Sequence, residues 1–407
     1  MTNKFSLKFL LQLLVIVAGI YLSWNLNVFI PFNASYPPLD TYKDFSGKVA
    51  PDTVIAAPGE HYLRGAMGAF WLGKHYRSVW AAQVKVPVLH ISKKNGGMKI
   101  LRKGGGMQTT SFTLADAAGT EYALRSVDKN PVHVLPGFFR YTFVASFVRD
   151  QVSATDPFAP QWVAELSSHA GVPYTTPELY FIHPEDSAFN KFGLQRGGFF
   201  NLSPKAPDLK ELQLPGERFK ELYSTAEMLQ ILTQSKGKAS VDTVLFLRCR
   251  LFDLLIGDWD RHPGQWDWAG FSTENHTVFR PVPKDRDQAF GYYKDGVLPY
   301  LLTRKFILNK IASFTPEFED VAGYSKNGRV LDDLLLKNVP GSVFQAQARL
   351  LQKQLPDAVL QAAIKKYPAG IVPETIQNRF QTLKSRRQQL GEGARLFYKI
   401  IQERNIN

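Results

Sequence analysis

The spacing of apolar positions changes character along the chain. From Phe9 to Phe32 the residues are almost continuously apolar, "FLLQLLVIVAGIYLSWNLNVFIPF". Lys4 and Lys8 precede them, and no further charge appears until Asp40. About twenty mostly apolar residues can span a bilayer, so the run predicts one N-terminal transmembrane helix within 1–32. A cleavable signal peptide is the rival, although no small-x-small site follows the run. With no basic residue between Lys8 and Lys43, the flanking lysines predict the N-terminus in the cytoplasm and the body outside it, periplasmic if bacterial. Residues 33–60, rich in Pro, Asp and Ser, read as a tether.

Between 61 and 200 the pattern is strand-like. "KVPVLHI", "MKIL", "TSFTLAD", "TEYALRSV" and "PELYFIH" are short β-type runs, several of them separated by glycine turns, and they predict an antiparallel meander. Helical patterns interrupt it at about Phe138 to Gln151 and Pro160 to His169. From 201 to 407 the helical period dominates. "RFKELYSTAEMLQILTQS" and "VDTVLFLRCRLFDLLIG" read as helices, "HTVFRPVPKDRDQAFGYY" as a hairpin with a loop, and most of the chain beyond about residue 300 as helix. The expected fold is α+β, a β-rich N-terminal lobe followed by a helical C-terminal lobe, with a ligand cleft between them.

Composition narrows the classes. The chain has 407 residues, 44% hydrophobic and 13% aromatic, with a formal charge of +13. This is a globular protein with room for two or three lobes. The charge suits an acidic membrane surface, a polyphosphate or nucleic acid, but no RRM, zinc-finger or homeodomain signature supports the last. The single cysteine, Cys249, excludes an internal disulfide and a Cys-based metal site. Its apolar helical setting marks it as a core residue.

Four clusters carry candidate chemistry. Gly257 ends the helix that begins near Val241, and the loop "DWDRHPGQ" follows with Asp258, Asp260, Arg261, His262 and Gln265. Phosphoryl transfer needs an acid that orients the nucleophile's proton and, a few residues on, an oxygen ligand for Mg²⁺. Asp260 and Gln265 have that spacing; a capped helix end with Asp–Arg pairing would also produce it. "PVPKDRDQAF" places Asp285 and Asp287 after a strand, where carboxylates can hold a hard cation or simply form a charged hairpin tip. "KGGGMQTTSF" offers Gly104, Gly105 and Gly106, whose backbone N–H groups can approach phosphate, although it matches neither standard phosphate loop. "EYALRSVDK" supplies Arg125 in a strand and Lys129 just beyond it, cations suited to phosphate oxygens. The other histidines show no ligand spacing, and "KSRRQQ", from Lys384, reads as a solvated helix face.

In this order the clusters resemble the protein-kinase-like superfamily, and in particular its atypical branches: HipA-type toxin kinases, CotH-type spore-coat kinases, the secretory-pathway casein kinases of the Golgi, and lipid kinases. "DRHPGQ" is similar to their D-x-H-x-x-N, and "DRDQAFG" to the D-N-G-x-x-F-G of the secretory kinases. The chain also looks like a kinase-like module of bacterial envelope proteins, with "GGGxQT", "LRSVDK", "GDWDRHxxQW" and "PxDRDQAF", from about Tyr62 to the last helix. The resemblance implies a two-lobed protein-kinase-like fold that binds ATP or another nucleotide with Mg²⁺ or Mn²⁺ and acts on an unknown acceptor. It makes Asp260, with His262 in the same motif, the catalytic pair. Gln265, Asp285 and Asp287 become metal ligands, and Gly104, Gly105, Gly106 and Gln108 cover the phosphates. Arg125 or Lys129 takes the role of the strand lysine, and Glu165 is the acid that would pair with it. Gln265 departs from the usual Asn, and Arg125 from the usual Lys; Arg and Lys are not interchangeable.

Two other readings remain open. One is a kinase-like binding module without catalysis, tethered to the membrane. The other is a D-x-D hydrolase or glycosyltransferase using Asp258 and Asp260 or Asp285 and Asp287, which would call for a parallel α/β sheet.

Overall fold

The structure, a computed structural model, describes residues 4–25, 52–104, 108–183, 186–194, 197–303 and 311–404. The first helix, α1 (Lys4–Asn25), carries Leu10, Leu11, Leu14, Val15 and Ile16 exposed. Among the described residues no helix is long and apolar enough to cross a membrane, so the expected spanning helix is not found among them. The end of the expected tether is already folded. Strand β1 (Thr53–Ala56) is followed by α2 (Ala66–Leu72) and α3 (Arg77–Trp80) and then pairs antiparallel with β2 (Val84–Pro87).

Next come β3 (Lys99–Gly104), β4 (Ser111–Ala115), β5 (Glu121–Ser126), α4 (Phe143–Asp150), α5 (Ala159–Ala170), β6 (Glu178–Ile182), α6 (Ser187–Asn190) and β7 (Gly198–Pro204). The five strands form one antiparallel sheet in the order β3-β4-β5-β7-β6. Phe112, Leu114, Leu124, Ile182, Phe200 and Leu202 fill its inner face, as the alternation predicts. Register places Ser111 opposite Arg125 and Arg125 opposite Asn201, a polar row across the sheet.

The second half differs from the helical expectation in one respect. It holds a sheet of its own, built from β8 (Arg218–Ser224), then, beyond α7 (Thr225–Gln234), β9 (Ala239–Val241), and, beyond α8 (Thr243–Ile256), β10 (Trp266–Ser272) and β11 (Thr277–Pro283). Its order is β8-β10-β11-β9, antiparallel except for β9 beside β11. The run read as one helix from Arg218 is therefore a strand and then a helix. Ser224 divides them through a capping box, its hydroxyl accepting from Glu227 N–H while the Glu227 carboxylate accepts from Ser224 N–H. The hairpin, too, lies earlier than expected. It joins "WDWAGFS" to "TVFRPVP", with Trp266 opposite Pro283.

Helix α8 is the axis of this half. From Phe246 to Ile256 every residue but Arg248 is buried, because α12 (Gly341–Gln354), α14 (Pro373–Gln388), α15 (Leu390–Arg404) and β11 all pack on it. The other helices are α9 (Val297–Leu302), α10 (Val321–Ser325), α11 (Arg329–Leu336) and α13 (Asp357–Ile364). Cys249 is buried in the core, where desolvation pushes its thiol up to about 12. "KSRRQQ" is not a solvated face: Arg386 is fully buried. Its guanidinium donates to Leu254 O, to Leu255 O at 2.9 Å and to Thr315 O at 2.9 Å, and it lies against Phe314, Phe318 and Tyr324. It therefore supplies donors that the last carbonyls of α8 lack within the helix.

Candidate functional site

The site is assembled at the C-terminal end of α8. Gly257 closes the helix in the left-handed conformation, φ +74°, and a Cβ there would come within 2.9 Å of Phe314. The chain then runs through Asp258 to Gln265, makes the β10–β11 hairpin and returns at Lys284. An antiparallel hairpin brings its two ends together, so the loop before β10 and the loop after β11 are neighbours. Lys284 N–H donates to Gln265 O at 2.9 Å. Arg261, fully buried and stacked 4.6 Å from the Trp266 ring centroid, clasps both loops by donating to Lys284 O at 2.6 Å and Gln265 O at 3.0 Å.

Beneath the loops lies a charge network whose central residue the sequence did not single out. Asp253 on α8 pairs with Arg250 at 3.3 Å, Arg261 at 3.2 Å and Arg286 at 2.9 Å. Arg250 also grips Asp332 of α11 through two hydrogen bonds, at 2.7 and 3.0 Å. One buried carboxylate thus ties the first loop, through Arg261, to the second, through Arg286. Burial pushes the Asp253 carboxyl up, but the three guanidiniums outweigh it and hold it below the usual range. Asp258 goes the other way. Burial dominates, Arg261 offsets only part of it, and its carboxyl is raised to about 7. Only the i, i+5 spacing of the two acids on and just past an apolar helix hinted at this network.

Asp260 is half-buried, and its backbone N–H donates to Asp258 Oδ1 at 3.1 Å. Its Oδ1 accepts from Asn327 Nδ2 at 2.9 Å. Asn327 lies in the turn between α10 and α11, next to Gly328, where a Cβ would come within 2.7 Å of the Arg250 guanidinium. The Arg250–Asp332 pair therefore packs against the turn that delivers Asn327. Nothing in the local sequence pattern marked Asn327. His262 is exposed, and its Nδ1 accepts from Gly264 N–H at 3.1 Å, capping the short turn Pro263–Gln265.

In the second loop Asp285 and Phe290 take positive φ, +46° and +62°. For Phe such a conformation is rare and must be imposed from outside. Phe290 N–H donates to Ile256 O at 2.8 Å, its carbonyl accepts from the Tyr76 hydroxyl, and its ring packs on Trp162 and Phe314. The loop's side chains alternate. Arg286 turns inward to Asp253, whereas Asp285 and Asp287 meet cations from the first half of the chain. Arg125 on β5 pairs with Asp285, and Lys129 with Asp287 at 2.5 Å. The loss of bulk water pushes the Asp287 carboxyl up, but Lys129 and then Arg125 outweigh it, so it lies below the usual range.

A cleft of about 800 Å³ collects Gln108, Arg125 and Lys129 on one side and Asp260, His262, Gln265, Asp285 and Asp287 on the other. Gly104 ends β3 opposite Ser111, while Gly105 and Gly106 lie outside the described residues. Glu165 is a correction. It pairs with Lys366 at 3.2 Å and His169 at 3.6 Å, not with Arg125 or Lys129. One turn earlier on α5, Gln161 donates to Asn201, the neighbour of Arg125 in the sheet, at 2.7 Å. The two positions share a face of α5 but lie about 6 Å apart along its axis, so Gln161 reaches the sheet where Glu165 does not, and the strand cation pairs with an acid across the cleft instead.

The oxygen donors Gln265, Asp285 and Asp287 suit a hard divalent ion. Among the described residues no three His, Cys, Asp or Glu side chains form a ready metal cluster. Asp285 and Asp287 are 27% and 39% exposed, open to the cleft but each already paired with a cation. The donor types therefore suit a hard cation once Arg125 and Lys129 release the two carboxylates.

No known protein family matches the chain, and no curated protein does. Among solved structures it is similar to the Helicobacter pylori proinflammatory kinase CtkA, at 10% identity over 74% of this chain and 96% of that one, with a TM-score of 0.36. It is also similar to the Golgi casein kinase with Mn/ADP bound, at 14% identity over 75% and 72% of the two chains and a TM-score of 0.29. A second structure of the Golgi casein kinase gives 12% identity over 75% and 74%, with a TM-score of 0.31. At these scores the likeness is broad.

Proposed function

We propose that the chain is a kinase-like phosphotransferase that binds a nucleotide with Mg²⁺ or Mn²⁺ in this cleft and phosphorylates a protein, glycan or lipid acceptor. The observation that carries the proposal is the convergence of Asp260, Gln265, Asp285 and Asp287 from two hairpin-linked loops opposite Arg125, Lys129 and Gln108 in one cleft. Asp260 is suited to accept and orient the acceptor's hydroxyl proton, with Asn327 holding one carboxylate oxygen. Gln265, Asp285 and Asp287 would hold the divalent ion, which when bound neutralises charge on the phosphates. Arg125 and Lys129 would pair with phosphate oxygens, and Gln108 and Gly104 would cover them.

Membrane attachment through α1, with the body outside the cytoplasm, belongs to the same proposal and is supported by the exposed apolar residues of that helix. Recovery of the full chain in the soluble fraction after cell breakage would end that part of it.

The pairing of Asp285 and Asp287 with cations favours a second reading, a binding module without catalysis. Calorimetric titration of ATP with Mg²⁺ into the protein, beside Asp285→Ala, tests the nucleotide site. Metal-dependent binding that is lost in the variant is the expected result. Absence of binding for ATP, GTP and ADP would remove the phosphotransferase reading.

A further inference from the structure

Helices α2 and α9 pack on each other, and Leu72, Trp71 and Leu298 meet Phe147 of α4 in a small core of their own. That core uses only part of each short helix. Outside it Leu63, Met67, Phe70, Tyr300 and Leu301 are exposed, Met67 by 54% and Phe70 by 59%. Residues 131–141, which pack on α4, add Phe138, 70% exposed. Large apolar side chains gathered on adjoining elements mark an interaction surface.

The charge around this face indicates what covers it. The chain carries 36 Asp and Glu in 407 residues, about one in eleven, yet none falls in 61–80, 129–149 or 296–303. Four acids adjoin these segments, and only Glu60 is exposed. Asp128 accepts from the Tyr62 hydroxyl at 2.6 Å, Asp150 is buried between Arg64 at 3.0 Å and Arg77 at 2.5 Å, and Asp295 accepts from His75 N–H at 2.7 Å. Lys74, just past α2, is exposed. Apolar side chains set among basic groups adsorb to anionic bilayers, the apolar groups entering the headgroup boundary and the cations meeting lipid phosphates.

We infer that the face formed by α2, α9 and residues 131–141 docks on the surface of an anionic lipid bilayer. Residues 26–51 lie between the exposed apolar helix α1 and the body, enough chain for both to meet the same bilayer. The face is preformed. A Cβ on Gly296 would collide with Gly73 N, so the two helices meet backbone to backbone. Arg140 braces 131–141 by donating to Leu135 O and His133 O, each at 2.7 Å. Docking therefore orders little chain. Val134, exposed on the same segment, also lines the cleft. On the phosphotransferase reading, docking brings the edge of the cleft to acceptors held at the bilayer surface; the docking itself does not rest on that reading.

The test exploits the single, buried Cys249. Ala66→Cys on the exposed side of α2 supplies an accessible thiol for a bimane label, and Val330→Cys on α11 supplies the reference. The labelled full-length proteins are mixed with phosphatidylcholine vesicles containing doxyl lipid as quencher, with and without phosphatidylglycerol. Position 66 should be quenched at least about tenfold more strongly than position 330 on the anionic vesicles, and less so at high salt. Met67→Ser, Phe70→Ser and Leu301→Ser together should remove the quenching at an unchanged thermal melt, whether or not α1 still holds the protein on the vesicle.

An unquenched position 66, on protein bound through α1 or free, overturns the docking and leaves the face to a protein partner. Quenching that the folded triple variant retains, or that positions 66 and 330 share, overturns it equally. No nucleotide enters the experiment, so failure here is distinct from failure of the phosphotransferase reading.

Discussion

Two sets of cation–carboxylate pairs lie within a few residues of one another, and their surroundings give them opposite roles. Around Asp253, the side chains of Arg250, Arg261 and Asp332 are fully buried and that of Arg286 nearly so. None of these charges can return to water without unfolding, so the network fixes the two loops. In the cleft, Arg125–Asp285 and Lys129–Asp287 use the same chemistry with one foot in solvent. Water or ligand can replace either partner there, so these pairs contribute little to stability and are free to exchange. What separates structural from functional ion pairs here is access to solvent.

The sharpest way to break this contrast is to remove one carboxylate from each set. Asp253→Ala leaves three buried guanidiniums without their shared partner and should cost about 3–5 kcal/mol. Asp285→Ala should cost no more than about 1 kcal/mol while abolishing metal-dependent nucleotide binding. Denaturant unfolding followed by tryptophan fluorescence reads both, and equal losses would refute the distinction.

Arg386→Met extends the buried side of the comparison. It strips the α8 carbonyls of their charged donor while keeping most of the apolar stem, and should cost about 2–3 kcal/mol. A loss much below that would mean water reaches the end of α8.

Proton linkage separates the acids of the buried set. Asp258 is raised to about 7, chiefly by burial, from about 3.9 in the unfolded chain. The folded state keeps this proton longer, so the group's contribution is full below about pH 4 and is lost as pH rises through 7. Asp253 is lowered, so its contribution is present above about pH 4 and is lost in more acid solution. Asp258→Asn should therefore flatten the decline in unfolding free energy between pH 5 and pH 8 relative to wild type. An unchanged slope would place no titrating proton on Asp258.

The smallest effect on the fold falls on Asn327, which lies outside both sets. Asn327→Ala removes a partly exposed hydrogen bond to Asp260 and should change stability by about 1 kcal/mol or less. On an acceptor substrate it should lower kcat about tenfold at unchanged nucleotide KM. A rise in KM with kcat intact would assign Asn327 to binding instead.

Much of the architecture was legible in local pattern. Period-two alternation located β3, β4, β5 and β6, and Gly257 marked the end of α8, because burial on one face and left-handed backbone both leave local signatures. The capping box at Ser224 was equally local but lay inside a stretch whose apolar spacing also suited a helix, and there the period misled. β10 was missed because "WDWAGFS" follows a polar loop without a break, and its strand character comes from pairing on both sides with β8 and β11. Arg386 was misread for a similar reason: a helix surface rich in charge says nothing about which position meets the carbonyls of another helix. The candidate acids were found by residue type and spacing, and Glu165 failed because its position along α5 places it beside His169 and Lys366, which local pattern does not reveal.

The sequence by itself determined the chemistry at hand. It supplied acids after a helix, acids after a strand, cations on a strand and a glycine turn, since these depend only on residue type and short-range spacing. Tertiary structure decided which charges meet. The β10–β11 hairpin joined the two acid loops, Asp253 bound both from below, Asn327 reached Asp260 across 67 positions of chain, and the cleft set Arg125 and Lys129 against Asp285 and Asp287. Those encounters follow from long-range packing and from how much water each pair retains, and neither is encoded in a local pattern.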